Sequence, residues 1–149
     1  MNLRLVEQEA KRVGVSVVAV EIRNSGDFAA ASMTLSKVRE DAMLIVPSSV
    51  FIEFQDWIVE LATAHKIPTV HAQSAAVWAG GLVSYTSDLK SHFRRAAIFV
   101  DRILKGAKPS ELPIEQPTRF ELVINMKTAR ALGSTIPQSV LLRADEVIE

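Results

Sequence analysis

Tyr85, Thr86, Ser87 and Asp88 are four consecutive polar side chains between an apolar stretch, Gly81-Leu82-Val83, and a helical pattern that starts at Leu89. Hydroxyls and a carboxylate in that place can hydrogen-bond a small polar or zwitterionic solute. Asp88 can also accept a free backbone N–H of the first helical turn. Three other stretches have the same character and follow apolar runs: Arg23-Asn24-Ser25-Gly26, Ser48-Ser49 and His71-Ala72-Gln73-Ser74. None of the four holds a carboxylate pair, a Ser/His/Asp set or a cluster of metal ligands. Their chemistry is binding, not bond breaking.

Enzyme signatures fail one by one. A phosphate-binding loop would need a glycine-rich turn ending Gly-Lys-Ser/Thr, and a dinucleotide fingerprint needs three spaced glycines where this chain has only Gly26. A nucleophile elbow needs glycines around its serine, whereas Ser48 follows Pro47. His65, His71 and His92 fall on separate elements, which favours ordinary histidines over metal ligands. Trp57 sits at helical spacing from Phe54 and Leu61, as core packing does, and Lys90, Arg94 and Arg95 read as a solvated face. Trp78, in a loop beside two glycines, is as readily a binding or interface residue as core. Ser48 and Ser49 would serve simply as helix caps if they bind nothing, and for Tyr85 a ligand contact is preferred to a structural hydrogen bond. No cofactor and no metal site is expected.

The elements that must position these residues follow from periodicity. Leu3, Val6, Ala10 and Val13 mark a helix ended by Gly14, and Val15 to Ile22 is a β-branched run expected to be a buried strand. Asp27 is expected to cap a helix through Phe28, Ala31, Leu35 and Val38. A second strand, Ala42 to Val46, leads to a helix through Phe51, Phe54, Ile58, Leu61 and Ala62. Ile67 to Val70 is a short strand, His71 to Ala79 a loop, and Gly80-Gly81 a turn before the apolar strand that ends in the polar tetrad. Leu89, Phe93, Ala96, Ala97, Val100, Ile103 and Leu104 then recur at helical spacing until Gly106 and Pro109 end the run. Pro109, Pro113 and Pro117 hold the next segment extended. Phe120 to Ile124 is a strand, Met126 to Leu132 a helix, and Pro137 is placed in the first turn of a last helix. Alternating strands and helices predict an α/β domain with a mainly parallel sheet flanked by helices, in which ligands bind at the carboxyl ends of the strands.

Composition narrows the class. The chain has 149 residues, enough for one domain with a real core, and 48% of them are hydrophobic, which excludes disorder. Lys+Arg and Asp+Glu balance at 17 each, which argues against nucleic acid as a partner. Without cysteine there is no disulfide and no thiolate chemistry. The charged start, Met1 to Glu7, lacks the apolar core of a secretion signal, so the chain as written is expected to stay in the cytoplasm.

From Gly80 onward the wording resembles one bacterial family. Ala79-Gly80-Gly81-Leu82-Val83-Ser84-Tyr85, Phe93-Arg94-Arg95-Ala96-Ala97, Ile103 to Pro109, Leu112 to Thr118, Phe120 to Asn125 and Arg143 to Glu149 are similar to the C-terminal half of ABC-transporter substrate-binding proteins of the aromatic amino-acid type. The resemblance implies one lobe of a type I periplasmic-binding-protein fold, Rossmann-like, gripping a solute such as an amino acid against a second lobe and presenting it to an ABC permease without catalysis. It implies a periplasmic location, Gly80 and Gly81 as hinge residues, and Ser48, Ser49, Ser74, Tyr85 and Asp88 as pocket positions. It also makes residues 1–149 a single α/β lobe, with 87–118 reaching toward the other one. Ser74 and Trp78 stand where relatives usually carry arginine and glutamate, and Thr86 where glycine is common. An alternative from a different class is a cytoplasmic ligand-sensing domain of the same fold type. A small flavodoxin-like hydrolase is disfavoured by the absence of an acid/base pair at any strand end.

One energetic consequence is large. The helix Leu89 to Leu104 carries about seven apolar side chains, worth on the order of 10 kcal/mol when buried. That rivals a domain's whole net stability. The stripe is expected to rest on protein outside this lobe, or on a second copy in a homodimer.

Overall fold

The computed structural model describes residues 3–37 and 41–149. The sheet is five-stranded: β1 (Met43–Ile45), β2 (Thr69–His71), β3 (Val83–Ser87), β4 (Phe120–Asn125) and β5 (Glu146–Ile148), in that spatial order. The β1–β2, β2–β3 and β4–β5 pairs are parallel, and β3–β4 is antiparallel. The helices are α1 (Leu3–Arg12), α2 (Phe28–Leu35), α3 (Ser49–Glu53), α4 (Gln55–Ala64), α5 (Ser74–Trp78), α6 (Leu89–Leu104), α7 (Met126–Leu132) and α8 (Gln138–Leu141). The expected α/β class with a mainly parallel sheet is what is found.

Strand register sorts the core. Ile45, His71, Ser84 and Val123 are lateral neighbours and so share one face of the sheet. Ile58 of α4 and Ala76 of α5 lie over that face, where they enclose a small cavity with Ile45 and His71. The next row, Leu44, Val70, Val83, Ile124 and Val147, points the other way. Ile124 at its centre is fully buried, while Leu44 at the edge is 53% exposed. Beyond the sheet, Phe28 of α2 stacks on Trp57 (centroids 3.9 Å apart) and meets Phe54 edge-on, which confirms Trp57 as packing.

Several local expectations are corrected. Residues 15–22 form no strand among the described residues, and Val15, Val17 and Val18 are exposed. β-branched side chains bias the backbone toward extension, but only a neighbouring strand makes a ladder. The segment read as a loop from His71 to Ala79 contains the end of β2 and the helix α5, because Ala76 and Val77 find burial against the sheet. The helix through Phe51 and Ile58 breaks at Phe54 into α3 and α4. Asp27 makes no side-chain cap. Its Oδ2 accepts from the Arg23 N–H instead, which holds the carboxyl below its usual range, and Asn24 caps the short turn at Gly26. Pro137 stands at the N-cap of α8, not in its first turn. The terminal Glu146–Ile148 strand was not foreseen; Asp145 anchors it by accepting from the Leu122 N–H and donating its own N–H to the Leu122 carbonyl. Val38, Arg39 and Glu40, expected to close α2, lie outside the described residues.

Helix α6 forms where periodicity places it, and none of its residues is buried. Leu89, Phe93, Val100 and Leu104 are all more than half exposed. It departs from the sheet after Ser87 and the chain returns at Phe120, with the Asp88 N–H donating to the Arg119 carbonyl where the two connections meet. An ion pair between Arg95 and Glu115 ties the helix to the returning segment. It keeps the guanidinium pKa above its ordinary value and the Glu115 carboxyl below its own.

Candidate functional site

β1, β2 and β3 run in the same direction, so their carboxyl ends deliver Ser48-Ser49, Gln73-Ser74 and Asp88 to one edge of the sheet. A cavity of about 30 Å³ opens there between the first two ends, lined among others by Pro47, Ser48, Phe51, Gln55, His71 and Gln73. Ser48 is half-buried and extended before α3, and its hydroxyl makes no cap bond. Ser49, the first residue of α3, is exposed, and Ser74, the first of α5, is half-buried. Among the described residues none of these three hydroxyls is hydrogen-bonded within the chain, so the capping expected of Ser48 and Ser49 if they bind nothing is not what they do.

The floor of this edge is fixed tightly. His71 is only 4% exposed, and its Nε2 lies 3.0 Å from Thr69 Oγ1, which also accepts from the Leu82 N–H. Burial pushes the imidazole pKa down to about 4, so the ring is neutral near pH 7. Gly81 is pressed against it: a Cβ there would stand 2.5 Å from His71 Nε2 and 2.8 Å from the Ala76 carbonyl oxygen. Gly80 adopts φ +117°, a region that side chains resist. From the other side, Thr128 Oγ1 donates to the Gly80 carbonyl and Asn125 Nδ2 to the Val77 carbonyl. The glycine pair is therefore a clamped turn between α5 and β3. Asn125 doubles as the cap of α7, accepting from the Thr128 N–H.

The remaining pocket positions stand apart from the cavity. Tyr85 follows Ser84 along β3 and so faces the opposite side of the sheet from His71. It is 59% exposed and stacks on Phe120 with centroids 5.4 Å apart. Asp88 does what its position predicts as an N-cap: Oδ1 accepts from the Lys90 and Ser91 N–H groups at 2.9 and 3.2 Å, and Oδ2 lies 3.6 Å from Arg119 Nε. Trp78 is exposed, in keeping with a surface role and not with core. Sequence reasoning passed over Gln55, Gln73 and Phe120 as site residues. Gln73 was visible in the strand-end stretch, whereas nothing in the spacing of Gln55 or Phe120 pointed to the edge. Ser84 is fully buried and its hydroxyl has no partner among the described residues. No group of three or more His, Asp or Glu fit to hold a metal occurs among the described residues.

The arrangement is a lip of hydroxyls and amides on a neutral, rigid base, suited to holding a solute. The sequence profile described as ABC transporter substrate binding protein matches residues 1–148. A search of curated proteins gives no match. A conserved domain protein from Vibrio cholerae O1 biovar El Tor superposes on 97% of this chain with TM-score 0.88 at 26% identity. An ABC domain from Streptococcus pneumoniae, solved in complex with L-Trp, superposes on 98% with TM-score 0.87 at 28% identity. A ligand-free, open substrate-binding protein with adhesive properties from Clostridium difficile shares the fold, with TM-score 0.71 over 98% of this chain at 20% identity. In each case this chain accounts for about half of the other, 49%, 49% and 48%. The chain belongs to the ABC transporter substrate-binding protein family.

Proposed function

We propose that this chain is the C-terminal lobe of a solute receptor for an ABC importer, a binding module without catalysis that acts outside the inner membrane. The solute is a small polar molecule of the amino-acid class; the L-Trp held by the pneumococcal relative makes aromatic amino acids the first to try. Ser48, Ser49 and Ser74 grip it from the strand ends; Tyr85, on the opposite face and stacked on Phe120, lies outside that grip. Asp88 acts by fixing the start of α6. Gly80 and Gly81, as hinge residues, form the packed turn into β3, and from the end of β3 residues 87–118 reach toward a second lobe. Closure of the two lobes is what an ABC permease would read.

The observation that carries this reading is the pairing of a hydroxyl-rich lip with a helix that buries nothing of its own. A lip on one lobe supplies half of a clamp. Where no second lobe is present, a second copy covers α6 in a two-fold dimer, which light scattering behind a sizing column would register as twice the monomer mass. The test of function is calorimetric titration of the chain with L-Trp and a panel of polar amino acids. Binding no tighter than about millimolar is expected, and it should weaken in Ser48→Ala and Ser74→Ala. Sub-micromolar binding by the lone chain would overturn the half-clamp, and binding indifferent to both serines would overturn the site.

A further inference from the structure

His71 has a tautomer that its neighbours fix. Thr69 Oγ1 accepts from the Leu82 N–H at 3.1 Å and lies 3.0 Å from His71 Nε2. The hydroxyl proton of Thr69 has no other acceptor among the described residues. Thr69 is only 3% exposed, so a proton not given to Nε2 would be buried without a partner. The hydroxyl therefore donates to Nε2, and the neutral ring carries its own proton on Nδ1.

The ring's surroundings say where that proton points. The Nε2–Cδ2 bond is the side pressed on Gly81, where an added Cβ would stand 2.5 and 2.7 Å from those two atoms. Nδ1 is the ring vertex opposite that bond. It has no partner among the described residues, yet it is not sealed in, since Ser84 Oγ is the one fully enclosed side-chain polar atom among them that lacks a partner. The space it meets is the cavity at the carboxyl ends of β1 and β2, which His71 lines.

We propose that His71 is a further binding residue of this site, and that its Nδ1–H receives an uncharged hydrogen-bond acceptor of the solute, a carbonyl or amide oxygen.

The cavity sets that class. A volume of about 30 Å³ holds about two water-sized groups, enough for the tip of a solute and not for its body. Apart from His71, which is neutral near pH 7, none of the residues lining it is acidic or basic. A carboxylate or ammonium group pushed into it would lose water and gain no counter-charge. An amide loses less and finds matching groups. The Ser48 hydroxyl and the Gln73 amide also line the cavity, and neither caps the helix that follows it. The charged groups of an amino acid would then stay outside, and the amide side chains of asparagine and glutamine are the ends suited to enter.

The inference rests on the receptor reading and adds the chemistry of the solute's inner end, so its test uses a small molecule that needs neither transport nor a second lobe. The chain with isotope-labelled histidine is titrated at pH 7 with acetamide and with acetate, which match in shape and differ in charge. Proton–nitrogen correlation spectra read the ring nitrogens, and His71→Gln assigns their signals. Before titration Nδ1 should be the protonated nitrogen and Nε2 the bare one. Acetamide should move the Nδ1–H signal about threefold or more further than acetate at equal concentration. Thr69→Val removes the hydroxyl that fixes the ring and should weaken the acetamide response about threefold or more, whereas Thr69→Ser should retain it. If Thr69→Val does not fold, the parent spectra and Thr69→Ser decide. A proton on Nε2 in the parent chain would overturn the assignment, and so would an Nδ1 signal that acetamide leaves in place or that acetate moves as far. Calorimetry with L-Trp, asparagine, glutamine, aspartate and glutamate reads the receptor function separately. The two amides should bind about threefold or more tighter than the two acids, and equal binding would overturn the uncharged class. Failure of every amino acid to bind, with acetamide still moving Nδ1, would sink the receptor reading and leave the His71 contact standing.

Discussion

Two helices flank the glycine pair and β3, and they live in opposite surroundings. α5, five residues long, has Ala76 and Val77 buried, Val77 completely. α6 is three times its length, has the stronger apolar stripe, and buries nothing. The spacing predicts a loop where α5 stands and a helix where α6 stands. Periodicity therefore reports where a helix can form, while burial reports whether its partner is present. In α5 the partner is the sheet; α6 finds none among the described residues.

The sharpest way to break that contrast is a pair of truncations. Ile124→Ala empties a fully buried site at the centre of the sheet and should cost about 2–5 kcal/mol. Leu104→Ala, on a residue 81% exposed, should leave chemical denaturation of the lone chain within about 0.5 kcal/mol of the parent. A matching loss at both positions would mean that α6 is covered in solution, and a concentration-dependent midpoint would then identify a second copy as the cover.

The packed side of the contrast also carries a pH signature. His71 is buried and its pKa falls from 6.5 to about 4 on folding. Between those values the unfolded chain binds a proton that the folded chain refuses, so stability falls as pH drops through this window and is fully present above it. The loss should total up to about 3 kcal/mol by pH 4, read as falling denaturation midpoints. His71→Gln should flatten the profile over that range. An unchanged slope in the variant would assign the acid sensitivity elsewhere.

Gly81→Ala tests the same floor sterically. The new methyl would overlap both the His71 ring and a backbone carbonyl oxygen, which cannot swing aside as a side-chain tip would. A cost of about 1–3 kcal/mol is expected, with melting temperature as the measurement. Because the ring must move, the acid sensitivity of the variant should shrink as well. An unperturbed variant would show that the α5–β3 turn is loose enough to flex on its own.

How much of this was legible depends on where each signal lay. α6, its Asp88 cap and its glycine stop were plain in one stretch of sequence because capping, periodicity and termination are all local. The parallel sheet followed from alternation of apolar runs and helical patterns. The unpaired state of residues 15–22 was not legible, since the pattern of Val15, Val17 and Val18 is that of a strand whether or not a neighbour stands beside it. α5 hid because Ser74-Ala75-Ala76-Val77-Trp78 is too short for periodicity to speak. At the site, Ser48, Ser74 and Asp88 fall on one edge as strand ends should. Tyr85 was grouped with them by adjacency in sequence, although strand alternation turns it to the other face. Phe120 was missed because its partnership with Tyr85 spans an antiparallel pair separated by the whole of α6.

The smallest effect isolates α6 from the rest. Asp88 Oδ1 satisfies two N–H groups at the start of the helix, and its loss in Asp88→Ala should cost about 1 kcal/mol. In most helices that cost would appear in global unfolding, because the helix and core melt together. Here α6 makes no buried contact through which to pass it on. The variant should therefore lose helical circular dichroism and speed amide exchange in the first turns of α6, while the main melting transition hardly moves. Asp88→Asn keeps an acceptor at the cap and should restore the helix signal, though not the charge toward Arg119. A main transition that falls in step with the helix signal would show that α6 is coupled to the packed layers after all, and that the contrast with α5 is one of degree.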